Sequence, residues 1–157
     1  FDYRCTYCRR MPAILAQLIK QNPDVRIVYR DYPILGPQST VAAEAALSAQ
    51  QQGKYIAMHN ALFTANKPLE MDVIKQIATQ VGLNEPEMEK DHLSYLTQQQ
   101  LRENAQFASA LGVTGIPSFF VAFTPMSTQH NSVEAYQLMS PKLTDLQNVI
   151  NLLKEPG

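Results

Sequence analysis

Phe1-Asp2-Tyr3-Arg4-Cys5-Thr6-Tyr7-Cys8-Arg9-Arg10-Met11-Pro12 is the stretch on which the reading of this chain turns, because Cys5 and Cys8 are the two cysteines of its 157 residues. A bridge across two intervening residues closes so small a loop that it removes little unfolded-state entropy. A disulfide-stapled secreted fold needs more cysteines at wider spacing. The chemistry of the pair is therefore the better account of it. After the motif, Met11, Ile14, Leu15, Leu18 and Ile19 recur at helical spacing until Asn22-Pro23, which puts Cys5 at a helix N-terminus. Unpaired backbone N–H groups and the positive end of the dipole there favour a thiolate. In such motifs the nucleophile's pKa falls from about 8.5 to between about 3.5 and 7. Arg4, Arg9 and Arg10 add positive potential. Cys5, nearer the dipole end and solvent, is expected to attack; Cys8, one turn inward, is expected to resolve the mixed disulfide. Pro12, within the same helical pattern, is expected to kink it.

Two blander accounts compete. A structural zinc site would use Cys5 and Cys8 with two of His59, His92 and His130, yet those histidines lie far apart and lack the close His pair of a zinc finger. Each histidine alone reads as a surface or helix-face residue. A purely structural Cys5–Cys8 disulfide is the other account. No metal site is expected.

Outward from the motif, Val25 to Tyr32 alternates Val25, Ile27 and Tyr29 against Arg26, Val28 and Arg30, a strand pattern. A long helical stretch follows: Ser39 to Gln52, broken by Gly53; Lys54 to Phe63; Met71 to Val81, stopped by Gly82; then a run from the cap Asn84 and first-turn Pro86 through Met88, Leu93, Leu96, Leu101 and Phe107 to Leu111. Gly112 and Gly115 end it. Ser118 to Phe123 is a short apolar run of strand type, Thr124 to Ser132 a polar loop, and Val133 to Leu138 a partner strand. Ser140-Pro141 reads as cap and first helical position of a last helix carrying Leu143, Leu146, Val149, Ile150 and Leu153. A βαβ start with a hairpin end implies a mixed sheet covered by helices, an α/β fold.

Composition narrows the function. The chain is 45% hydrophobic, enough for one substantial core and one domain. Thirteen basic against fourteen acidic residues give a net charge of -1, which leaves no basic field to hold a polyanion, so nucleic acid is excluded as an expected partner. The apolar runs fall short of the roughly 18 to 20 residues of a membrane span. The sequence opens at Phe1 with no signal peptide, and Phe1 to Tyr3 look like the tail of a strand that begins upstream.

Four stretches together resemble the DsbA type of thioredoxin-fold thiol:disulfide oxidoreductases: Phe1 to Cys8; Arg30-Asp31-Tyr32-Pro33-Ile34-Leu35-Gly36-Pro37-Gln38-Ser39; Ala42 to Phe63, with Gln51-Gln52-Gly53-Lys54-Tyr55 and His59-Asn60-Ala61-Leu62-Phe63; and Gly112-Val113-Thr114-Gly115-Ile116-Pro117-Ser118-Phe119-Phe120-Val121. The resemblance implies a thioredoxin-like mixed sheet with an inserted helical domain at about 54–111, flanked by thioredoxin-fold portions at about 1–53 and 112–157. It also implies that Pro117 is cis and faces the cysteines, with Ile116 offering backbone to an extended substrate segment. Two features depart from the family. Its first strand is missing but for the tail, and the dipeptide between the cysteines is Thr6-Tyr7 where strongly oxidising members often carry Pro-His. A lost imidazolium makes for a less oxidising disulfide, and Tyr at this position is familiar from disulfide isomerases of the superfamily.

The expected function is thiol–disulfide exchange through Cys5 and Cys8, introducing disulfides into exported proteins in the bacterial periplasm or cell envelope. No cofactor is expected beyond the redox-active disulfide. The expected partners are reduced or misoxidised proteins, a membrane or soluble redox partner, and a possible second copy joined through an N-terminal segment. An isomerase or reductase of the same fold is the first alternative, and a non-catalytic peptide-binding module using the Pro117 loop is the second. A glutathione-transferase relative is disfavoured, because one nucleophile would suffice there.

Overall fold

The computed structural model describes residues 1–122 and 135–154. Its first helix, α1 (Met11–Gln21), follows a single 3-10 turn at Cys8–Arg10, so the α-helix starts later than the spacing implies. Pro12 consequently lies at the first or second helical position, where its missing N–H has no intrahelical acceptor to lose. The expected kink gives way to a favourable helix start.

Met11, Leu15 and Leu18 turn one face of α1 inward against Leu146 and Ile150 of the last helix, α7 (Leu143–Lys154). Fully burying one such side chain contributes about 1.5–3 kcal/mol. Val25, Ile27, Tyr29, Phe119 and Leu138 pack onto this cluster. The ends of the two helices are joined by Asn22, whose amide donates to Leu18 O (3.0 Å) and to Gln147 Oε1 (2.7 Å). Helix α7 begins two residues beyond Ser140-Pro141. Lys142 is held at its start by its own N–H donating to Asp145 Oδ2 (2.7 Å), the backward half of a capping box.

Strands β1 (Ser118–Ala122) and β2 (Ala135–Met139) pair antiparallel, with Phe119 opposite Leu138 and Phe120 opposite Gln137. They form the one regular ladder among the described residues. The expected loop Thr124 to Ser132 and the first two residues of the expected strand, Val133 and Glu134, lie outside those residues. Val25 to Arg30 alternates half-buried and exposed positions as a strand does, yet the segment Val25 to Tyr32 carries no ladder along its length. Its pairing is confined to Phe1, whose amino group donates to Arg30 O (3.3 Å) and whose carbonyl accepts from Tyr32 N–H (2.8 Å), the pattern of a parallel pair. A cleft of about 750 Å³ separates this segment from β1 and reaches Cys8 and Pro117.

The rest is helical: α2 (Pro37–Gln51), α3 (Tyr55–Thr64), α4 (Met71–Gln80), α5 (Glu85–His92) and α6 (Tyr95–Ala110). Helix α2 is the axis of this block. Ala42, Ala43, Ala45, Ala46 and Ala49 are all buried, and such small side chains let α3, α5 and α6 approach it closely. The expected single run from Asn84 to Leu111 is two helices. Asn84 caps α5 by accepting from Glu87 N–H (3.1 Å), and Ser94 starts α6 by accepting from Thr97 N–H (3.3 Å). Gly112 ends α6 at φ 65°, with Gly112 N–H on Ser109 O and Val113 N–H on Ala108 O, the paired bonds of a Schellman motif. The buried cluster of this block runs through Met58, Leu62, Ile74 and Met88 and takes in Tyr3, Cys5 and Cys8. The Cys5–Cys8 motif is thus part of the helical core.

Candidate active site

The approach to the cysteines is fixed by Asp2. Its carboxylate is buried and accepts three backbone N–H groups, from Arg4 (2.8 Å), Ile34 (2.8 Å) and Leu35 (2.9 Å), so the turn before Cys5 is bolted to the segment before α2. Cys5 N–H then donates to Asp2 O (3.1 Å), and Arg9 N–H donates to Cys5 O (3.1 Å). Cys5 stands ahead of the 3-10 turn, where its sulfur accepts the Cys8 N–H at 3.2 Å. The bond resembles that of a capping side chain, with sulfur in place of oxygen, although the residue directly before the turn is Tyr7.

The two sulfurs have different surroundings. Cys5 retains 8% exposure and Cys8 none. Burial, reinforced by a hydrogen bond with Cys5, pushes the Cys8 thiol up to about 12. Thr6 and Tyr7 between them are exposed, and Arg10 lies over the Tyr7 ring at 5.4 Å. From the far end of the chain, the loop before β1 brings the Ile116 carbonyl to 3.8 Å from Cys5 Sγ. The Ile116–Pro117 peptide is cis, and Pro117 is fully buried. Ser140 N–H donates to Pro117 O (3.0 Å) and Ser118 Oγ to Gly115 O (2.6 Å), tying this loop to the hairpin. Cys5, Cys8, Ile116 and Pro117 therefore converge, with Thr6 and Tyr7 on the outer rim.

Behind the motif lies a polar cluster that the sequence does not advertise. His59, expected on a surface or helix face, is 2% exposed and ringed by Phe1, Tyr3, Tyr29, Tyr55 and Phe63. Its Nδ1 shares a hydrogen bond with Tyr3 Oη (3.1 Å), and burial lowers its pKa to about 4, so the imidazole is neutral. Tyr55 Oη donates to Asp31 Oδ2 (2.7 Å). Burial raises Asp31 to about 6 despite that bond. Asn104 completes the cluster by donating to Asp31 O (3.0 Å) and accepting from Arg30 (3.2 Å). These contacts link positions far apart in sequence, and no local pattern announces them.

Of the three histidines weighed for zinc, His59 is engaged by Tyr3, His92 is half-buried with its Nδ1 against Glu89 O (2.7 Å), and His130 lies outside the described residues. Among the described residues no group of three His, Cys, Asp or Glu side chains is placed to hold a metal ion.

The family profile of the DSBA-like thioredoxin domain matches residues 1–138. Among solved structures, a thioredoxin-like oxidoreductase from Silicibacter pomeroyi DSS-3 is 34% identical, with a TM-score of 0.87 over all of this chain and 84% of its own. The thiol-disulfide exchange protein alpha-DsbA2 from Wolbachia pipientis is 22% identical, with a TM-score of 0.79 over 98% of this chain and 78% of its own. The curated protein Na(+)/H(+) antiporter NhaA 3 of Salinispora tropica is 26% identical over 76% of this chain, a match that spans 19% of the antiporter's length. No helix among the described residues is long and apolar enough to cross a membrane. With its profile match running from the Cys5–Cys8 motif to the terminal hairpin, on a thioredoxin-like fold with a large helical portion, the chain belongs to the DSBA-like thioredoxin domain family.

Proposed function

We propose that the chain is a protein thiol:disulfide oxidoreductase that passes its Cys5–Cys8 disulfide to reduced polypeptides. One observation carries the reading: a reachable Cys5 sulfur, set between the Cys8 N–H and the Ile116 carbonyl, directly beside a sealed Cys8. A substrate thiolate attacks Cys5 Sγ, the Cys5–Cys8 bond breaks, and Cys8 leaves and takes up a proton. A second substrate thiolate then attacks the substrate sulfur of the mixed disulfide. Cys5 departs as a thiolate, and its negative charge is met by the Cys8 N–H. Two electrons have moved from the substrate to the chain. Ile116 and Pro117 hold the substrate backbone beside Cys5 by strand-like contacts that demand no particular sequence.

The reading places the protein in the bacterial cell envelope, where disulfides persist, with reoxidation by a membrane or soluble partner. It is supported by the similarity to solved structures that include a periplasmic thioredoxin-like protein from Salmonella enterica serovar Typhimurium. An isomerase or reductase is the second reading, favoured by Thr6-Tyr7, neither of which carries a positive charge to steady a thiolate.

Substituting Cys5→Ser abolishes exchange, and Cys8→Ser accumulates mixed disulfides with substrate; an active Cys5→Ser variant overturns the assignment. Equilibration with glutathione separates the two directions. Potentials in such proteins span about -270 to -120 mV, and a value near the upper end marks a disulfide donor, whereas one near the lower end marks a reductase or isomerase.

A further inference from the structure

Beside the redox motif lies a second cleft of about 420 Å³ whose lining includes Tyr3, Arg4, Arg9, Gln38, Lys67 and Leu69. Tyr3 and Leu69 are buried, and the three cationic side chains are exposed. Arg4 immediately precedes Cys5, and the Arg9 N–H is bonded to Cys5 O, so the two arginines bracket the reactive sulfur along the backbone. Each is held in place by one guanidinium nitrogen: Arg4 Nη1 donates to Leu35 O, and Arg9 Nη1 donates to Ala65 O (3.1 Å). A guanidinium has five N–H donors in a planar fork, so each arginine keeps most of its donors for another acceptor. Among the described residues, none of Arg4, Arg9 and Lys67 is in a salt bridge. The nearby acid, Glu70, accepts from Gln38 instead. In a chain of net charge -1, three cations gathered at one cleft are a local arrangement and not a reflection of composition.

We propose that this cleft takes carboxylate side chains of the polypeptide substrate, so that Cys5 exchanges preferentially with cysteines that have acidic neighbours. The inference rests on the exchange reading above. Consecutive residues of an extended polypeptide lie about 3.8 Å apart at Cα, which brings residues close to the reacting cysteine within reach of side chains flanking Cys5. Fixed guanidinium forks match carboxylates in a bidentate way that ammonium groups do not. Ile116 and Pro117 would hold the backbone without regard to sequence, and the cationic cleft would supply the choice among sequences.

The test uses the oxidised intact chain and three synthetic peptides, identical but for acidic, amide or basic residues on either side of a single cysteine. At low ionic strength the acidic peptide is expected to react about tenfold faster than the basic one. That ratio is expected to collapse at about 1 M salt, where the screening length is about 3 Å. Arg9→Gln with Lys67→Gln is expected to bring the ratio towards one, and Arg9→Glu with Lys67→Glu to reverse it, a change of sign that loss of folded protein does not produce. Equal rates for the three peptides, or a preference that survives both double variants, overturn the inference and leave the exchange reading standing. No exchange with any of the peptides overturns both.

Discussion

At the scale of single residues, Asp31 and His59 oppose one another. The Asp31 carboxyl is raised from 3.8 to about 6 by burial, so it contributes stability below pH 4 that is lost as pH rises towards 6. His59 is lowered from 6.5 to about 4, again by burial, so its contribution is present above pH 6.5 and is lost as pH falls towards 4. Across pH 4 to 6 the folded chain holds one proton more than the unfolded chain at Asp31 and one fewer at His59, and the slopes cancel. Stability is therefore expected to be nearly flat in this window. Asp31→Asn, which keeps an acceptor for Tyr55, exposes the histidine: unfolding free energy drops by about 3 kcal/mol on acidification from 6.5 to 4. His59→Phe exposes the acid and gives a fall of similar size as pH rises from 4 to 6. Denaturant unfolding at a series of pH values reads both, and a flat profile in either variant contradicts the pairing. Cys5 and Cys8 were legible in the sequence because the chemistry of a Cys-x-x-Cys motif resides in local spacing. Asp31 and His59 were not, since what perturbs them is burial produced by Tyr3, Tyr55 and Phe63 arriving from elsewhere in the chain.

At the scale of elements, the punctuation of the helices was readable and their pairing was not. Gly53, Gly82 and Gly112 stand where α2, α4 and α6 end, and Asn84 caps α5, because stop and start signals act within one turn. Gly112 sits at φ 65° with its α-carbon open to space, so Gly112→Ala meets backbone strain and no collision. A loss of about 1 kcal/mol is expected, read as a lower thermal midpoint; an unchanged midpoint would show that α6 ends by other means. Two helix starts differ from the expectation, for different reasons. Periodicity puts Pro12 inside its helix because it cannot tell a 3-10 turn from the first turn of an α-helix, whereas Ser140-Pro141 has the residue types of a cap and first position and yet the helix starts at Leu143, behind Lys142. The alternation from Val25 to Tyr32 was sound, but a ladder needs neighbours on its edges, and within the described residues only Phe1 is one.

At the scale of the whole molecule, two apolar clusters divide the labour. One joins α1, α7 and the hairpin; the other joins α2 through α5 to the redox motif. Leu62→Ala and Ile150→Ala are each expected to cost about 2–5 kcal/mol, since both side chains are buried. They are expected to differ at the active site. Leu62 shares its cluster with Cys8, and burial is the leading cause of the raised Cys8 thiol, so loosening that cluster admits water and lowers its pKa. Ile150 belongs to the other cluster. Alkylation of Cys8 against pH, in a Cys5→Ser background, is expected to speed up near neutral pH for Leu62→Ala and to remain slow for Ile150→Ala; equal rates would show that the two clusters do not act separately. This partition was only half visible beforehand. The long helical stretch from Ser39 to Leu111 shows in the sequence pattern, but the closing of its core over the cysteines does not.

The sealed position of Cys8 also sets the proton count of the redox couple. With its thiol near 12, Cys8 keeps a proton whenever the pair is reduced at any pH a cell maintains, so every two-electron reduction carries at least one proton inward. For a two-electron couple a tenfold change in one reactant is worth about 30 mV. The potential of Cys5–Cys8 therefore falls by at least about that amount for each unit by which the surroundings become more alkaline. The potential of the chain is therefore higher in an acidic compartment than in a neutral one, without any change in its contacts, and a substrate dithiol, which gives up two protons on oxidation, shifts at least as far in the same direction.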